Sequence, residues 1–247
     1  MKAFLTYLWI QFKIDIREKG TLLTFYVVPL AFFLVMGAVF SSITPEAKNT
    51  LSASMGIFAA TMGAVLGIPT PFVKMKESGV LRAFRVNGIP GFAVLFIQII
   101  SAFLHLLIVS VIILVSAPLI FDAGLPQNYG MYFVSLIIFL ITSISIGVLI
   151  GVTAKSHSIA TMLSQAVFLP SLMLSGIMFP TSMLPKPLIW LGNIFPSTHA
   201  MKAFSTLAYN IKTDYSGAFA LTIVALTGLI AFIISIWRFQ VSGRESR

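Results

Sequence analysis

The third apolar segment of this sequence carries three polar side chains at helical spacing. Gln98, Ser101 and His105 stand at positions i, i+3 and i+7 within QIISAFLHLLIVS. In a helix this spacing places them on one face. A histidine at membrane depth can handle a proton or contact a substrate. It can instead hydrogen-bond a serine or threonine of a neighbouring helix, and we favour this second interpretation.

A second polar group begins the fifth apolar segment, where Thr161, Ser164 and Gln165 lie within five positions. With Gln98, Ser101 and His105 they are the candidates for lining a translocation path. The alternative is that they form hydrogen bonds between helices, worth about 1 kcal/mol each. The glycine pairs Gly63-x3-Gly67 and Gly147-x3-Gly151 allow helices to approach closely.

Sequence motifs for catalysis and nucleotide binding are absent from the chain. It contains no G-x4-GK[ST], no H-E-x-x-H and no G-x-S-x-G. The three histidines fall in separate segments, and there is no cysteine to act as nucleophile or metal ligand. We therefore predict a protein that is not an enzyme, with no catalytic residue, metal or cofactor of its own.

The composition places most side chains in lipid. The chain is 58% hydrophobic and only 9% charged, whereas soluble domains are about half apolar and a quarter charged. A soluble core of this size could not bury so much apolar surface. The net charge of +9 then indicates basic loops against anionic headgroups rather than nucleic acid.

Six segments are long enough to cross a bilayer core about 30 Å thick. We predict a single all-α, polytopic membrane domain over residues 1–247, in which residues 1–20 form an interfacial helix with Trp9 at headgroup depth. The predicted membrane spans are 22–40, 51–70, 92–117, 131–153, 159–179 and 217–237.

The distribution of lysine and arginine predicts that both termini lie in the cytoplasm. With six spans, twelve of the sixteen basic residues fall on the side of the termini. The other side has only Lys48, Lys186, Lys202 and Lys212. Because basic residues concentrate in cytoplasmic loops, we expect a multi-pass protein of the cell membrane with this orientation.

No predicted span contains Asp, Glu, Lys or Arg in its interior. Ion-coupled carriers usually keep such a residue at membrane depth as a partner for the coupling ion. The energy source for any transport is therefore expected to lie outside this chain.

Charge is concentrated in the loop 71–91, which contains VKMKESGVLRAFRVNG and lies on the cytoplasmic side in this topology. Ser78 is predicted to cap a short helix over about 79–86. On that helix Leu81 and Phe84 would form an apolar knob. Its polar rim would be Glu77, Arg82 and Arg85, and Gly79 provides the turn before it.

The loop between the fifth and sixth spans, 180–216, is apolar and interrupted by prolines. It predicts two short helices that dip into the outer leaflet and cover the end of a path, and the alternative is an ordinary interfacial loop. The residues that mark this region are Gly176, Pro180, Pro185, Trp190, Pro196 and His199.

These two regions carry a family resemblance. The pattern Glu77-x-Gly79-x-Leu81, followed by Gly88-x-Pro90, resembles the loop after the second span of ABC-2 type transporter permeases. The stretch Ser175-Gly176-x-x-Phe179-Pro180, with Leu184-Pro185 and Phe195-Pro196-Ser197-Thr198-His199, resembles their segment after the fifth span. Val80 and Phe195 depart from the common Thr and Asn.

The resemblance implies the membrane subunit of an ATP-driven exporter that works as a dimer with a second permease, identical or related. Separate ATPase chains would bind ATP and Mg, and the loop 71–91 with the interfacial helix would contact them. We expect an amphipathic or lipophilic substrate, such as a drug, a peptide antibiotic or a lipid. The alternatives are a polysaccharide or glycolipid exporter and, outside the family, a secondary carrier or channel.

Overall fold

Backbone amides in lipid have no water to bond, so a spanning segment must satisfy them internally as a helix or a closed barrel. The computed structural model describes residues 2–43, 45–80, 84, 86, 91–178 and 180–245, and all regular structure in these residues is helical. Six helices are long and apolar enough to cross a membrane. The prediction of an all-α chain with six spans is therefore confirmed.

We number these helices as spans 1 to 6. They cover Lys19–Ser42, Ala47–Glu77, Phe92–Phe121, Tyr129–Thr153, His157–Leu174 and Gly217–Gln240. The last helix continues to Glu245. An N-terminal helix, Lys2–Arg17, precedes them, and two short helices, Lys186–Gly192 and Pro196–Ala203, connect spans 5 and 6.

Span 2 is the central helix of the bundle. In its most apolar stretch 83% of the residues are buried, compared with 28% in spans 1, 5 and 6. Its sequence LSASMGIFAATMGAVLG is rich in Gly, Ala and Ser, and small side chains allow neighbouring helices to approach closely in lipid. Glycines of span 4 occupy the same contact: a Cβ on Gly147 would overlap the carbonyl oxygen of Ala64.

Spans 1 and 2 each contain a π-helical turn, at Leu23–Val27 and Gly63–Gly67. The turn in span 2 comes just before Pro69 and Pro71, whose missing N–H groups interrupt the α-helical pattern. The two turns meet, because the ring of Phe25 lies where a Cβ on Gly63 or Gly67 would be, at 3.0 and 2.9 Å. These glycines thus accept an aromatic ring of span 1.

Span 2 is longer than the sequence predicted. Its final helix, Pro69–Glu77, continues past residue 70 and includes the first part of the predicted loop 71–91. Lys74, Lys76 and Glu77 are therefore carried on a rigid helix end that packs against spans 4 and 5.

The N-terminal helix packs along span 3 with a face of mixed polarity. Phe4, Tyr7, Leu8, Gln11, Phe12 and Asp15 are the residues of this face. Leu5, Trp9 and Ile16 are exposed. The outer side of the helix is therefore mixed, with Lys13 and Arg17 among its apolar residues, and its inner side carries an acid.

Candidate functional site

His105 lies in a buried polar cluster rather than along an open path. Its Nδ1 is 2.7 Å from the hydroxyl of Tyr26 in span 1, and its Nε2 is 3.6 Å from Oδ2 of Asp15. Ser101 donates a hydrogen bond of 2.5 Å to the same carboxylate oxygen, and Gln11 donates one of 2.8 Å to the other. The prediction that His105 bonds a serine or threonine of a neighbouring helix was wrong, since the bonded group is the hydroxyl of Tyr26.

Gln98 completes the predicted polar face of span 3. It borders a cavity of about 20 Å³ that Asp15 and Thr21 also line. Its Oε1 is buried and has no hydrogen-bond partner in the described part of the chain. Gln98, Ser101 and His105 therefore share one face, as predicted, and that face is directed at the N-terminal helix.

The three polar residues at the start of span 5 do not share a face. Ser164 is buried against the bundle, whereas Thr161 and Gln165 are exposed on the opposite side. The hydroxyl of Thr161 donates to the carbonyl of His157 in its own helix. The exposed side continues with Met162, Leu169 and Met173, so span 5 presents a mainly apolar strip outside this bundle.

The helix end after span 2 differs from the prediction for Ser78. Its backbone is in the α region, and its hydroxyl donates to the carbonyl of Met75, so it closes the preceding helix instead of capping the next one. Gly79 follows with φ +71°, a conformation that glycine adopts without strain. Glu77 is exposed.

Phe84 contacts the N-terminal helix. Its ring centroid is 5.9 Å from that of Tyr7. Leu81, Arg82 and Arg85, the other predicted contact residues of this loop, lie outside the described residues. Their roles stay predictions.

Lys76 binds the end of span 4. Its ammonium group donates to the carbonyl oxygens of Val152 at 3.0 Å and Ala154 at 3.1 Å. A cation is favourable here because the last carbonyls of a helix lack intrahelical partners and carry partial negative charge. From the sequence, Lys76 was predicted only as a basic loop residue. Span 3 and nearly all of span 4 lie between it and the carbonyl groups that it bonds.

The two motifs around the loop between spans 5 and 6 meet in the structure. Oγ of Ser175 is 2.5 Å from Oγ of Ser197, and the hydroxyl of Thr198 donates to the carbonyl of Gly192 at 2.6 Å. Gly176, next to Ser175, has φ +78°. This hydroxyl cluster joins the end of span 5 to the second short helix.

The prolines of this region lie at helix starts, as proline chemistry favours. Pro180 precedes a short 3-10 turn, Pro185 precedes the first short helix, and Pro196 begins the second. Trp190 is exposed on the first short helix, as expected for a residue that faces lipid headgroups.

His199 is buried in the second short helix with both ring nitrogens bonded. Nε2 is 2.8 Å from the carbonyl oxygen of Asn193, which can only accept, so Nε2 carries the proton. Nδ1 therefore accepts from the hydroxyl of Tyr215, at 2.5 Å. Burial lowers the pKa of His199. Lys202, which pairs with Asp214 at 3.1 Å, lies over the Tyr215 ring.

An apolar cavity of about 420 Å³ opens beside this region, within the size range of small-molecule sites. It lies between span 1, the start of span 2 and the segment after span 5. Its lining includes four methionines, Met36, Met178, Met183 and Met201, with Thr50 and Ser54 as polar groups. Methionine side chains adapt to ligands of different shape.

Asp15 and Tyr26 were missed as partners of His105 because each lies far from it in sequence. The sequence contained one signal for this contact. Gln11 and Asp15 stand at i and i+4, and with Phe12 they define one face of the N-terminal helix.

The sequence of this chain is similar to those of known transport proteins. The family model described as ABC-2 type transporter matches residues 2–209. A relative, ABC transporter G family member 20 of Dictyostelium discoideum, is 26% identical over 163 residues, which are 66% of this chain and 22% of that protein. The chain thus matches about a fifth of that relative's length. Because the family model covers most of the chain, this protein belongs to the ABC-2 type transporter family.

Proposed function

We propose that this chain is the transmembrane subunit of an ATP-driven exporter, moving an amphipathic or lipophilic substrate out of the cytoplasm or the inner leaflet. The family match over residues 2–209 is the observation that carries the proposal. Membership implies partnership with an ATPase, which we propose to be a separate chain that binds ATP and Mg. Both termini lie in the cytoplasm in this proposal, on the evidence of the lysine and arginine distribution.

The surface formed by the N-terminal helix and the end of span 2 supports an ATPase contact. Tyr7 of the N-terminal helix contacts Phe84 of the loop after span 2, and Glu77 is exposed at the end of that span. Lys76 connects the same helix end to span 4. A displacement of this surface would therefore reach spans 2 and 4, as well as span 3 through the N-terminal helix.

The apolar cavity of about 420 Å³ supports the substrate class. A polysaccharide needs a path rich in hydroxyl and amide partners, whereas the cavity offers mainly methionine, valine and phenylalanine. The exposed apolar strip of span 5, with Met162, Leu169 and Met173, supports pairing with a second permease.

The decisive experiment is to co-purify the chain with the ATPase encoded beside it and to measure ATP hydrolysis in lipid vesicles. We expect a stable complex whose activity falls severalfold in Leu81→Asp and in Phe84→Asp. Lys186→Asp, which places the same charge on the exposed loop between spans 5 and 6, is the control and should retain wild-type activity. Failure of the wild type to co-purify with the ATPase, or unchanged ATP hydrolysis in both variants, would refute the coupling.

The substrate class is tested by stimulation of ATP hydrolysis. Lipophilic cations and amphipathic peptides should stimulate the complex, and Met178→Trp, which fills part of the cavity, should raise the concentration needed for half-maximal stimulation. Stimulation by oligosaccharides alone would instead support the glycan exporter.

A further inference from the structure

Four polar side chains from three helices lie together where the N-terminal helix meets span 3. Hydrogen bonds join Tyr26 to His105 and Ser101 to Asp15, and Nε2 of His105 has no hydrogen-bond partner among the described residues. Asp15 comes from the N-terminal helix, Tyr26 from span 1, and Ser101 and His105 from span 3. Asp15 accepts from Ser101 at 2.5 Å and lies 3.6 Å from Nε2 of His105. Through this carboxylate the N-terminal helix is hydrogen-bonded to a side chain of span 3.

The cluster is enclosed by aromatic rings. The imidazole of His105 is 1% exposed, and the side chain of Asp15 is 15% exposed. Phe12 stacks on the imidazole with ring centroids 4.1 Å apart and planes 6° from parallel. Phe25 approaches the ring from span 1 at 5.7 Å. The rings of Phe12 and Phe25 therefore shield the imidazole of His105.

The enclosure of Asp15 makes its carboxylate costly, although His105 does not lie deep in the membrane core. His105 lies sixteen residues from Phe121, the far end of span 3, which corresponds to about 24 Å of helix. In a hydrocarbon core about 30 Å thick, it lies near the opposite boundary. A carboxylate taken out of water loses much of its solvation, and its partners must compensate for that loss. A chain with seven acidic residues has thus placed one where it must be bonded.

The cluster is also connected to the centre of the bundle. Phe25 packs into the space left by Gly63 and Gly67 of span 2, and Leu106, next to His105, packs against Gly63. About two turns before Asp15 on the same face, the N-terminal helix contacts the loop after span 2 through Tyr7 and Phe84. The N-terminal helix therefore forms part of the proposed ATPase surface and also contacts spans 1 and 3.

We propose that Asp15 is a positioning residue that locks the N-terminal helix to spans 1 and 3 through Ser101, His105 and Tyr26. A displacement of the N-terminal helix then moves these spans instead of sliding over them. This inference rests on the proposed function for its role in coupling. The lock itself is a property of the chain and can be tested without transport.

The lock is tested first by spectroscopy, since the absence of native cysteine allows specific labelling. Spin labels are attached at Ile14→Cys and Ile112→Cys, which are 51% and 39% exposed on the N-terminal helix and span 3. Asp15→Asn and His105→Gln should each broaden or lengthen the measured distance distribution. The effect of the double variant should be smaller than the sum of the two single effects, because both changes remove the contact between Asp15 and His105.

Lys13→Gln is the matched control. It removes one charge from the same helix, but Lys13 is exposed and lies over Trp9, outside the cluster. Its distance distribution should equal that of the parent. Unchanged distributions in both Asp15→Asn and His105→Gln overturn the lock, whatever the complete transporter does.

The role in coupling is tested in the complex with its ATPase in lipid vesicles. Asp15→Asn should retain most of the ATP hydrolysis while transport per ATP falls about fivefold or more, the usual size of a coupling between sites. Altered distances with unchanged transport per ATP overturn the coupling role. A wild-type complex that neither hydrolyses ATP nor transports overturns the proposed function instead, and the label distances still decide the lock.

Discussion

The ammonium group of Lys76 donates a hydrogen bond of 3.0 Å to the carbonyl oxygen of Val152, the penultimate residue of span 4. The same group bonds the carbonyl of Ala154 at 3.1 Å. One side chain at the end of span 2 thus satisfies backbone acceptors that span 4 leaves free. The proposed ATPase surface is therefore connected directly to a helix that is not its neighbour in sequence.

We expect Lys76→Met to lower the stability of the protein by about 1–2 kcal/mol, because it removes charge-assisted hydrogen bonds from partly buried carbonyls. Thermal melting in a single detergent measures the effect. Lys74→Met is the control, since Lys74 is exposed and is 4.0 Å from Glu18, a weak pair. Equal melting temperatures for the two variants would contradict the role of Lys76.

Gly147→Ala should destabilise the contact between spans 2 and 4. The new Cβ would overlap the carbonyl oxygen of Ala64, a backbone atom that cannot rotate away. We expect a loss of about 1–3 kcal/mol, as for other overpacked cores, measured by thermal melting. Gly20→Ala, with no atom within 4 Å of the added Cβ, should melt at or above the wild-type temperature.

Ser175 and Ser197 should act as a pair in the loop between spans 5 and 6. Each alanine substitution should cost about 1 kcal/mol, and the double variant should cost less than the sum, because both changes break the same hydrogen bond. Melting temperatures of the four proteins give the interaction energy.

A second double-mutant cycle, on two residues that do not contact each other, is the control for the serine pair. The hydroxyl of Thr222 is exposed in span 6 and bonds the carbonyl of Ala218 within its own helix. Thr222→Ala combined with Ser197→Ala should therefore be additive. Additivity in the serine pair as well would show that the two hydroxyls do not interact.

Acidification should weaken the region around His199. Burial, the largest cause, lowers the pKa of His199 below its ordinary value, so the folded protein favours the neutral ring. As the pH falls below about 6.5, the unfolded chain takes up a proton at this histidine while the folded protein still keeps the ring neutral. The stability from neutral His199 is thus complete above that value and is lost as the pH falls through the lowered pKa.

The difference in melting temperature between about pH 7.5 and about pH 5.5 measures this effect, since an ordinary histidine titrates between them. It should be larger for the wild type than for His199→Gln, whose amide can bond both partners. His157→Gln changes an exposed histidine and should leave the difference unchanged. An identical pH response in wild type and His199→Gln would refute the assignment.

The sequence alone determined the solvent and the class of the fold. Apolar runs of about 20 residues have few alternatives in lipid, because their backbone must bond internally, so the six spans could be read from composition and length. The proline positions determined where the short helices begin, since proline tolerates the first turn of a helix. The family motifs indicated which loops follow the second and fifth spans, although not which atoms of those loops make contacts.

Only the tertiary structure decided which polar groups meet. Asp15 and His105 are 90 positions apart, and neither pattern nor spacing connects them. Ser78 could cap either adjacent helix by its chemistry, and the left-handed backbone of Gly79 places it at the end of the first. In a bilayer, an apolar helix face packs equally well on lipid tails and on a neighbouring helix. The few buried polar contacts and close glycine contacts therefore set the register of the helices. Those contacts depend on three-dimensional packing, which helical periodicity does not encode.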